Sequence, residues 1–152
     1  MTDIGIATAA EQPINRHGAL AGETMQEGDL VGLNAEGEMV QATATNGVMA
    51  LGVCLTPATE LDAYGEDEVK LVVEANRALV GRDRVSAISN GVEVENGDGD
   101  WEFAPGQPVY MGEGGEYTQD APVSEGALVQ IVGTALTPDR IRLDVRASDV
   151  TA

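Results

Sequence analysis

Two stretches of this chain repeat each other in order and spacing, and such a duplication restricts the folds open to it. The segment GDLVGLNAEGEMVQA (28–42) aligns with GQPVYMGEGGEYTQD (106–120), and LGVCLTP (51–57) aligns with VGTALTP (132–138) after a shift of three residues. The identical residues of the first alignment are Gly28, Val31, Gly37, Glu38 and Gln41 in one copy and Gly106, Val109, Gly115, Glu116 and Gln119 in the other. Repeats of this kind predict two similar structural units.

Each copy leads into an alternating segment, EVKLVVE (68–74) in the first and RIRLDVR (140–146) in the second. Alternation with a period of two is typical of a half-buried strand. The loops AEG (35–37) and EGG (113–115) place glycine where a hairpin needs a positive φ. Each unit therefore reads as a hairpin, a glycine-containing strand and a final alternating strand. Neither unit buries its apolar face alone, so we expect the two to pack together as a small barrel or sandwich.

The remaining segments are less regular. Residues 85–103 predict another hairpin, with Asn90-Gly91 as its turn. Residues 1–24 have no clear period, and a free arm or an edge strand both fit them. The sequence therefore predicts an all-β fold with an N-terminal arm (1–24) and one β-barrel-like domain (25–152). Helix is expected at most as a single turn within 58–67.

Composition describes the interior of this domain. Hydrophobic residues make up 43% of the 152 residues but aromatic residues only 3%. The core is therefore expected to consist largely of valine, leucine, isoleucine, methionine and alanine, whose small side chains suit the narrow interior of a barrel or sandwich. Cys54 is the only cysteine, which excludes an intramolecular disulfide, and we expect it to be a small buried hydrophobe.

The charge balance restricts the partners. There are 26 acidic residues against 8 lysines and arginines, which gives a net charge of −18, and Lys70 is the only lysine. Such a surface repels itself in dilute buffer, whereas at 1 M salt the screening length falls to roughly 3 Å. We interpret the acidity as adaptation to concentrated salt. It argues against binding to nucleic acid or an anionic membrane, which needs clustered cations. The N-terminus does not resemble a signal peptide, and no apolar run is long enough to span a membrane.

The sequence predicts no catalytic site, no cofactor and no specific metal site. The only histidine, His17, lies in the irregular N-terminal segment without supporting residues nearby. The turn NGDGD (96–100) has alternating oxygen ligands like the start of a calcium loop. An EF-hand would require glycine and glutamate where Trp101 and Gln107 stand, so an acidic turn is the favoured interpretation. The chain is predicted not to be an enzyme.

The positive charges are concentrated in two places. Arg140, Arg142 and Arg146 belong to the last alternating segment, and a second group lies at positions 77, 82 and 84. Two interpretations remain open. The arginines pair with carboxylates of neighbouring strands, or they meet an acidic surface of another copy or of a partner.

The order of these motifs resembles that of small capsid decoration proteins of tailed viruses. The shared pattern is an N-terminal arm, G-D-L-V, a hairpin, L-G-V, V-K-L-V-V, and a second G-x-x-V-Y hairpin followed by I-V-G-T-A, and it covers roughly residues 25–146. The resemblance implies a β-barrel-like or β-tulip-like subunit, commonly a homotrimer, on the outer surface of an icosahedral capsid. The extreme acidity would fit a virus of halophilic archaea. The protein would be made in the host cytoplasm and would have no catalytic residues.

In that role the protein would bind the major capsid protein and strengthen contacts between capsid subunits. The N-terminal arm would lie along a neighbour and add a strand to a sheet edge. The residues predicted to bind a partner are Ile4, Ile6, Ile14, Leu20, Arg140, Arg142 and Arg146. Two alternatives remain: another virion component, such as a turret, fibre base or tail protein, and a β-sandwich that binds a ligand or carbohydrate. The second would need exposed aromatic side chains for stacking, and this chain has few.

Overall fold

The computed structural model describes residues 4–9, 16–59 and 78–152, and in these residues the fold is all-β, as predicted. The strands are β1 (Ile4–Ala9), β2 (Arg16–Leu20), β3 (Leu30–Leu33), β4 (Met39–Gln41), β5 (Gly52–Cys54), β6 (Ala58–Thr59), β7 (Ala78–Leu79), β8 (Arg84–Ile88), β9 (Asn90–Asn96), β10 (Pro108–Met111), β11 (Tyr117–Thr118), β12 (Ile131–Thr137) and β13 (Arg140–Asp144).

These strands form two large antiparallel sheets. The six-stranded sheet has the order β1-β9-β13-β12-β10-β11, and the five-stranded sheet has the order β2-β8-β5-β3-β4. A third, parallel pair joins β6 to β7. In the described residues each large sheet has two different end strands and does not close on itself, so the arrangement is a stack of open sheets.

The predicted repeat corresponds to a duplicated topology. We call β2, β3, β4, β5 and β8 the first unit and β9 to β13 the second unit. In each unit the second and third strands form a hairpin, and the fourth strand pairs with the second. The fifth strand pairs with the fourth, and the first strand pairs with the fifth. Their pairing registers also agree. The pair Gly32↔Val40 matches Tyr110↔Thr118, and Val31↔Gly52 matches Val109↔Gly133.

The turns of the two hairpins are equivalent as well. Gly37 has a φ of 77° and Gly115 a φ of 85°, as expected for glycine in these loops. The Asn34 N–H donates to Glu38 O in the first hairpin, and the Gly112 N–H donates to Glu116 O in the second. Both turns therefore close in the same way, which confirms the predicted hairpins.

The final strand of the first unit differs from the expectation. The strand that pairs with β5, as β13 pairs with β12, is β8 at Arg84–Ile88. The segment 68–74, which the sequence pattern suggested for this role, lies outside the described residues. β8 has the alternation that this position requires, because its Val85 and Ala87 face a buried layer.

The hairpin predicted for residues 85–103 is wrong. β8 and β9 follow each other directly, but β8 pairs with β2 and β5 whereas β9 pairs with β1 and β13. The chain passes from one sheet to the other at Ser89, which lies between the two strands. Gly91 has a positive φ of 82°, but it lies within β9 and not at the turn of a hairpin.

Two described segments within residues 1–24 form edge strands. β1 pairs with β9 at one end of the six-stranded sheet, and β2 pairs with β8 at one end of the five-stranded sheet. Ala19 and Ala21 are buried in the interior. Residues 4–9 and 16–20 are therefore edge strands, which is one of the two possibilities left open for this segment.

The two units share one apolar core, as expected. Leu30, Val53 and Ile88 of the first unit pack with side chains from the second unit, and aliphatic residues dominate the cluster. Trp101, Phe103 and Tyr117 add a small aromatic group, with ring centroids 4.9 Å apart for Trp101–Phe103 and 5.2 Å for Trp101–Tyr117. Neither large sheet would exclude water from these side chains alone, so burial couples the two units.

The two units are stacked in the same orientation. In the first unit Val31 and Cys54 face away from the shared core, into a second cluster that contains Met25, Ala58 and Ala78. Their equivalents in the second unit, Val109 and Ala135, face into the shared core. We call the face that carries Val31 and Cys54, and the equivalent face that carries Val109 and Ala135, the inner face of each unit, and the opposite face the outer face. The outer face of the first unit therefore packs against the inner face of the second. The outer face of the second unit lies at the end of the stack.

Candidate functional site

The outer face of the six-stranded sheet carries a row of acidic side chains beside a row of basic ones. Glu93 and Glu95 lie on β9, and Arg142 and Arg140 lie directly opposite them on the neighbouring strand β13. Alternation along each strand sends Val92, Val94, Ile141 and Leu143 into the core and these four side chains to the other face. We call Glu93, Glu95, Arg140 and Arg142 the charge ladder.

Arg140 is held by both acidic residues of the ladder. Its Nη2 donates to Glu95 Oε2 at 2.8 Å, and its Nη1 lies 3.6 Å from Glu93 Oε1. The hydrogen bond to Glu95 raises the pKa of the Arg140 guanidinium, which is a cation at neutral pH in any case. Arg140 therefore pairs with carboxylates of the neighbouring strand, which is one of the two interpretations left open for the arginines.

Arg142 differs from Arg140. It is exposed, and no carboxylate of the described residues lies within 4.0 Å of its guanidinium nitrogens. It borders a shallow depression of about 180 Å³ together with Gly91, Val92, Glu93 and Leu136. Leu136 is 41% exposed, so the depression combines a cation with aliphatic surface. Such a surface suits a partner that presents both a carboxylate and an apolar group.

The structure separates the other residues predicted to bind a partner. Arg146 follows β13 and pairs with Asp144 at 2.8 Å. Ile4 and Ile6 lie on β1, opposite Asn96 and Val94 of β9, and Ile4 packs partly against the core. Leu20 lies on β2, at the edge of the other sheet. Ile14 lies outside the described residues.

Four of the predicted residues, namely Ile4, Ile6, Arg140 and Arg142, therefore belong to one sheet, with β9 between β1 and β13. The sequence analysis missed the part played by Glu93 and Glu95. The alternation of VEVEN (92–96) could have identified them as the polar face of a strand. Their pairing with β13 could not be read from it, because the strand partner depends on tertiary packing.

A larger depression of about 370 Å³ lies between the two hairpins. Its lining combines residues of both units, including Asp29, Gln41, Trp101, Glu116 and Tyr117. The Tyr117 hydroxyl donates to Gly28 O at 2.6 Å, so its polar atom is already used within the fold. Burial raises the pKa of the Asp29 carboxyl, and the Gln26 N–H, which donates to Asp29 Oδ2, opposes this effect. Two of the polar side chains that line the depression, Asp29 and Tyr117, are thus already hydrogen-bonded within the fold.

His17 has one interaction that the sequence did not suggest. Its Nε2 lies 3.3 Å from the Ser89 hydroxyl, which brings together an imidazole and a hydroxyl from distant parts of the chain. A Ser-His-Asp arrangement also needs a carboxylate on the other ring nitrogen. Among the described residues no carboxylate hydrogen-bonds to His17.

Cys54 is fully buried, as expected. Its burial raises the pKa of its thiol to about 12, so the reactive thiolate does not form at neutral pH.

The acidic turn at 96–100 is organised by Asn96. The Asp98 N–H donates to Asn96 Oδ1 at 3.0 Å, and the Asn96 side-chain amide donates to Asp100. In the described residues no group of three histidine, cysteine, aspartate or glutamate side chains is arranged to hold a metal ion. The turn therefore has a structural explanation in the asparagine side chain.

No protein-family model matches this sequence, and no curated protein matches it either. The fold itself defines an all-β protein of two stacked, topologically equivalent units. Within residues 4–9, 16–59 and 78–152, no helix has the length and apolar character needed to cross a membrane.

Proposed function

We propose that this chain is a structural protein of a tailed virus, which binds the outer surface of an icosahedral capsid and strengthens the contacts between major capsid subunits. It performs no catalysis in this role. It is made in the host cytoplasm and then joins the virion. The order of sequence motifs that resembles capsid decoration proteins is the starting point, and the resemblance implies a subunit that is commonly a homotrimer.

The observation that carries this proposal is the duplicated unit. The G-D-L-V and G-x-x-V-Y segments of the resemblance occupy equivalent hairpins, and their strand registers agree. Two stacked sheets with a shared core form a stiff body, which suits a protein whose task is to resist deformation. Among the described residues, no strand covers the outer face of the six-stranded sheet or pairs with the outer edge of β1, so both are available for contact with other molecules.

The edge strand β1 supports a mode of attachment. It pairs with β9 on one side, and its segment IGIATA carries no charge in a chain of net charge −18. Edge strands can pair with an extended segment of another protein through backbone hydrogen bonds. Because several copies would contact several capsid subunits, modest individual contacts would add up to firm attachment.

The test is a reconstruction by electron microscopy of particles of the virus that encodes this chain, combined with mass spectrometry of the purified particles. Density of this fold on the outer capsid surface is the expected result. Density at a turret, fibre base or tail would support the alternative virion component. Absence of the chain from purified particles would refute a structural role in the virion.

No specific observation favours the carbohydrate-binding alternative. Trp101, Phe103 and Tyr117 are buried against one another rather than displayed for stacking on a sugar.

A further inference from the structure

We propose that the outer face of the six-stranded sheet is a contact between two copies of this chain, in which the acidic row of each charge ladder lies over the basic row of the other. This contact is independent of the proposed function, because the charges of both partners are those of the chain itself.

The first reason is the equivalence of the two units. The outer face of the first unit, with Leu30, Val53 and Ile88, is already an interface, because it packs against the second unit. The pairing registers show that Pro108, Thr134 and Arg142 are their equivalents in the second unit, in the same order. These three residues lie on the open face of that unit. The same backbone arrangement thus packs against a sheet in one unit and faces solvent in the other. Its polar side chains suit a contact that forms and dissociates.

The second reason is the arrangement of the charges. Each row of the ladder has one sign, with Glu93 and Glu95 on β9 and Arg142 and Arg140 opposite them on β13. A two-fold axis that runs parallel to these strands, between them, places each acidic row over the basic row of the other copy. An axis across the strands would place like charges over each other. The ladder is therefore self-complementary in one of these two orientations, as an isologous contact requires.

The third reason is Arg142. In the proposed orientation it meets the other copy's Glu93, whereas within its own chain no described carboxylate lies within 4.0 Å of it. Leu136, beside Arg142 in the depression, contributes aliphatic surface to the same contact. Arg140 and Glu95 of the two copies would extend the pairing along the strands.

The overall charge sets the conditions. Two copies of net charge −18 repel each other at low ionic strength. At 1 M salt the screening length is roughly 3 Å, so long-range repulsion disappears while close contacts are screened less. We therefore expect the contact to form in concentrated salt. A three-fold assembly would use other surfaces. Pairing through the charge ladder therefore doubles the mass of the protein, whether a single copy or a trimer forms without that pairing.

The experiment uses full-length protein in concentrated salt and measures mass by sedimentation velocity. One variant, R140E/R142E, makes both rows acidic, and another, E93R/E95R, makes both rows basic. The wild type is expected to have twice the mass of each variant alone. An equimolar mixture of the two variants is expected to regain the wild-type mass, because an acidic face then meets a basic one. Circular dichroism verifies that both variants fold.

The matched control is R82E/R84E, which makes the same change in charge at arginines outside the ladder. It is expected to keep the wild-type mass. Equal masses for the wild type and both folded ladder variants would overturn the proposal, as would a mixture that fails to regain the doubled mass. Loss of association in the control would also overturn it, because it would show an effect of net charge alone. If either ladder variant fails to fold, the single variants R142E and E93R provide the same comparison.

Discussion

The side-chain amide of Gln130 pairs with both backbone groups of Ala50. Its Oε1 accepts from the Ala50 N–H at 2.8 Å, and its Nε2 donates to Ala50 O at 2.9 Å and to Arg146 O at 2.6 Å. Gln130 is 1% exposed, and it precedes β12 of the second unit, whereas Ala50 precedes β5 of the first. One buried side chain thus completes backbone pairing between the two units.

Replacing Gln130 by methionine is expected to lower the free energy of unfolding by at least about 2 kcal/mol, because buried backbone groups lose their hydrogen-bond partners. The structure offers a matched control. Gln119 makes the same two bonds to Ala104, at 2.8 Å and 2.9 Å, but Ala104 is exposed. Water can replace those bonds, so Gln119→Met should cost less than about 1 kcal/mol. Chemical denaturation measures both, and equal losses would contradict the linking role of Gln130.

Gly52 is expected to tolerate no side chain. A Cβ at this position would lie 2.6 Å from Ile88 O and 2.8 Å from Ile88 C, which are backbone atoms of the paired strand β8. Gly52→Ala should therefore separate β5 from β8 and cost about 3 kcal/mol or more, at the upper end of overpacking effects. The comparison is Gly37→Ala. There nothing lies within 4 Å, so only the positive φ opposes the change, at about 1–2 kcal/mol. Thermal unfolding of both variants would refute this reasoning if Gly37→Ala were the more damaging.

Asp29 makes stability depend on pH. Its pKa is raised in the folded protein above the ordinary value of 3.8, mainly because burial disfavours the charged carboxylate. The folded state therefore binds this proton more tightly than the unfolded state. Stability from this group is fully present below pH 3.8 and is lost as pH rises through the raised pKa. Asp29→Asn should accordingly gain stability relative to the wild type as pH increases from about 4 to 7. Parallel pH dependence of the two proteins in urea unfolding would contradict this.

Salt is expected to stabilise the fold strongly. The net charge of −18 on a small domain produces self-repulsion that salt screens, with a screening length of about 10 Å at 0.1 M and 3 Å at 1 M. The melting temperature should rise between 0.1 M and 3 M sodium chloride, by about 3 °C for each kcal/mol of repulsion relieved. Sucrose of equal osmolality is the control, since it does not screen charge. Equal melting temperatures at both salt concentrations would count against adaptation to concentrated salt.

The sequence by itself determined the β character, the duplication and the turns of the two repeated hairpins, although the hairpin predicted at Asn90-Gly91 was wrong. Those features follow from local physics: alternation along a strand, and glycine at Gly37 and Gly115, where a positive φ is needed. The matching registers show that the sequence alignment captured real structural equivalence. The buried state of Cys54 also followed from residue type alone.

Only the tertiary structure determined which strands are neighbours within each sheet. The choice of β8 beside β5, the crossover at Ser89 and the opposition of Glu93 to Arg142 all depend on pairing between segments distant in sequence. A period of two identifies the face of a strand but not its neighbour, because many short alternating segments satisfy the same local pattern. The neighbour is selected by which arrangement buries both units around one core, and that free energy exists only in the complete fold.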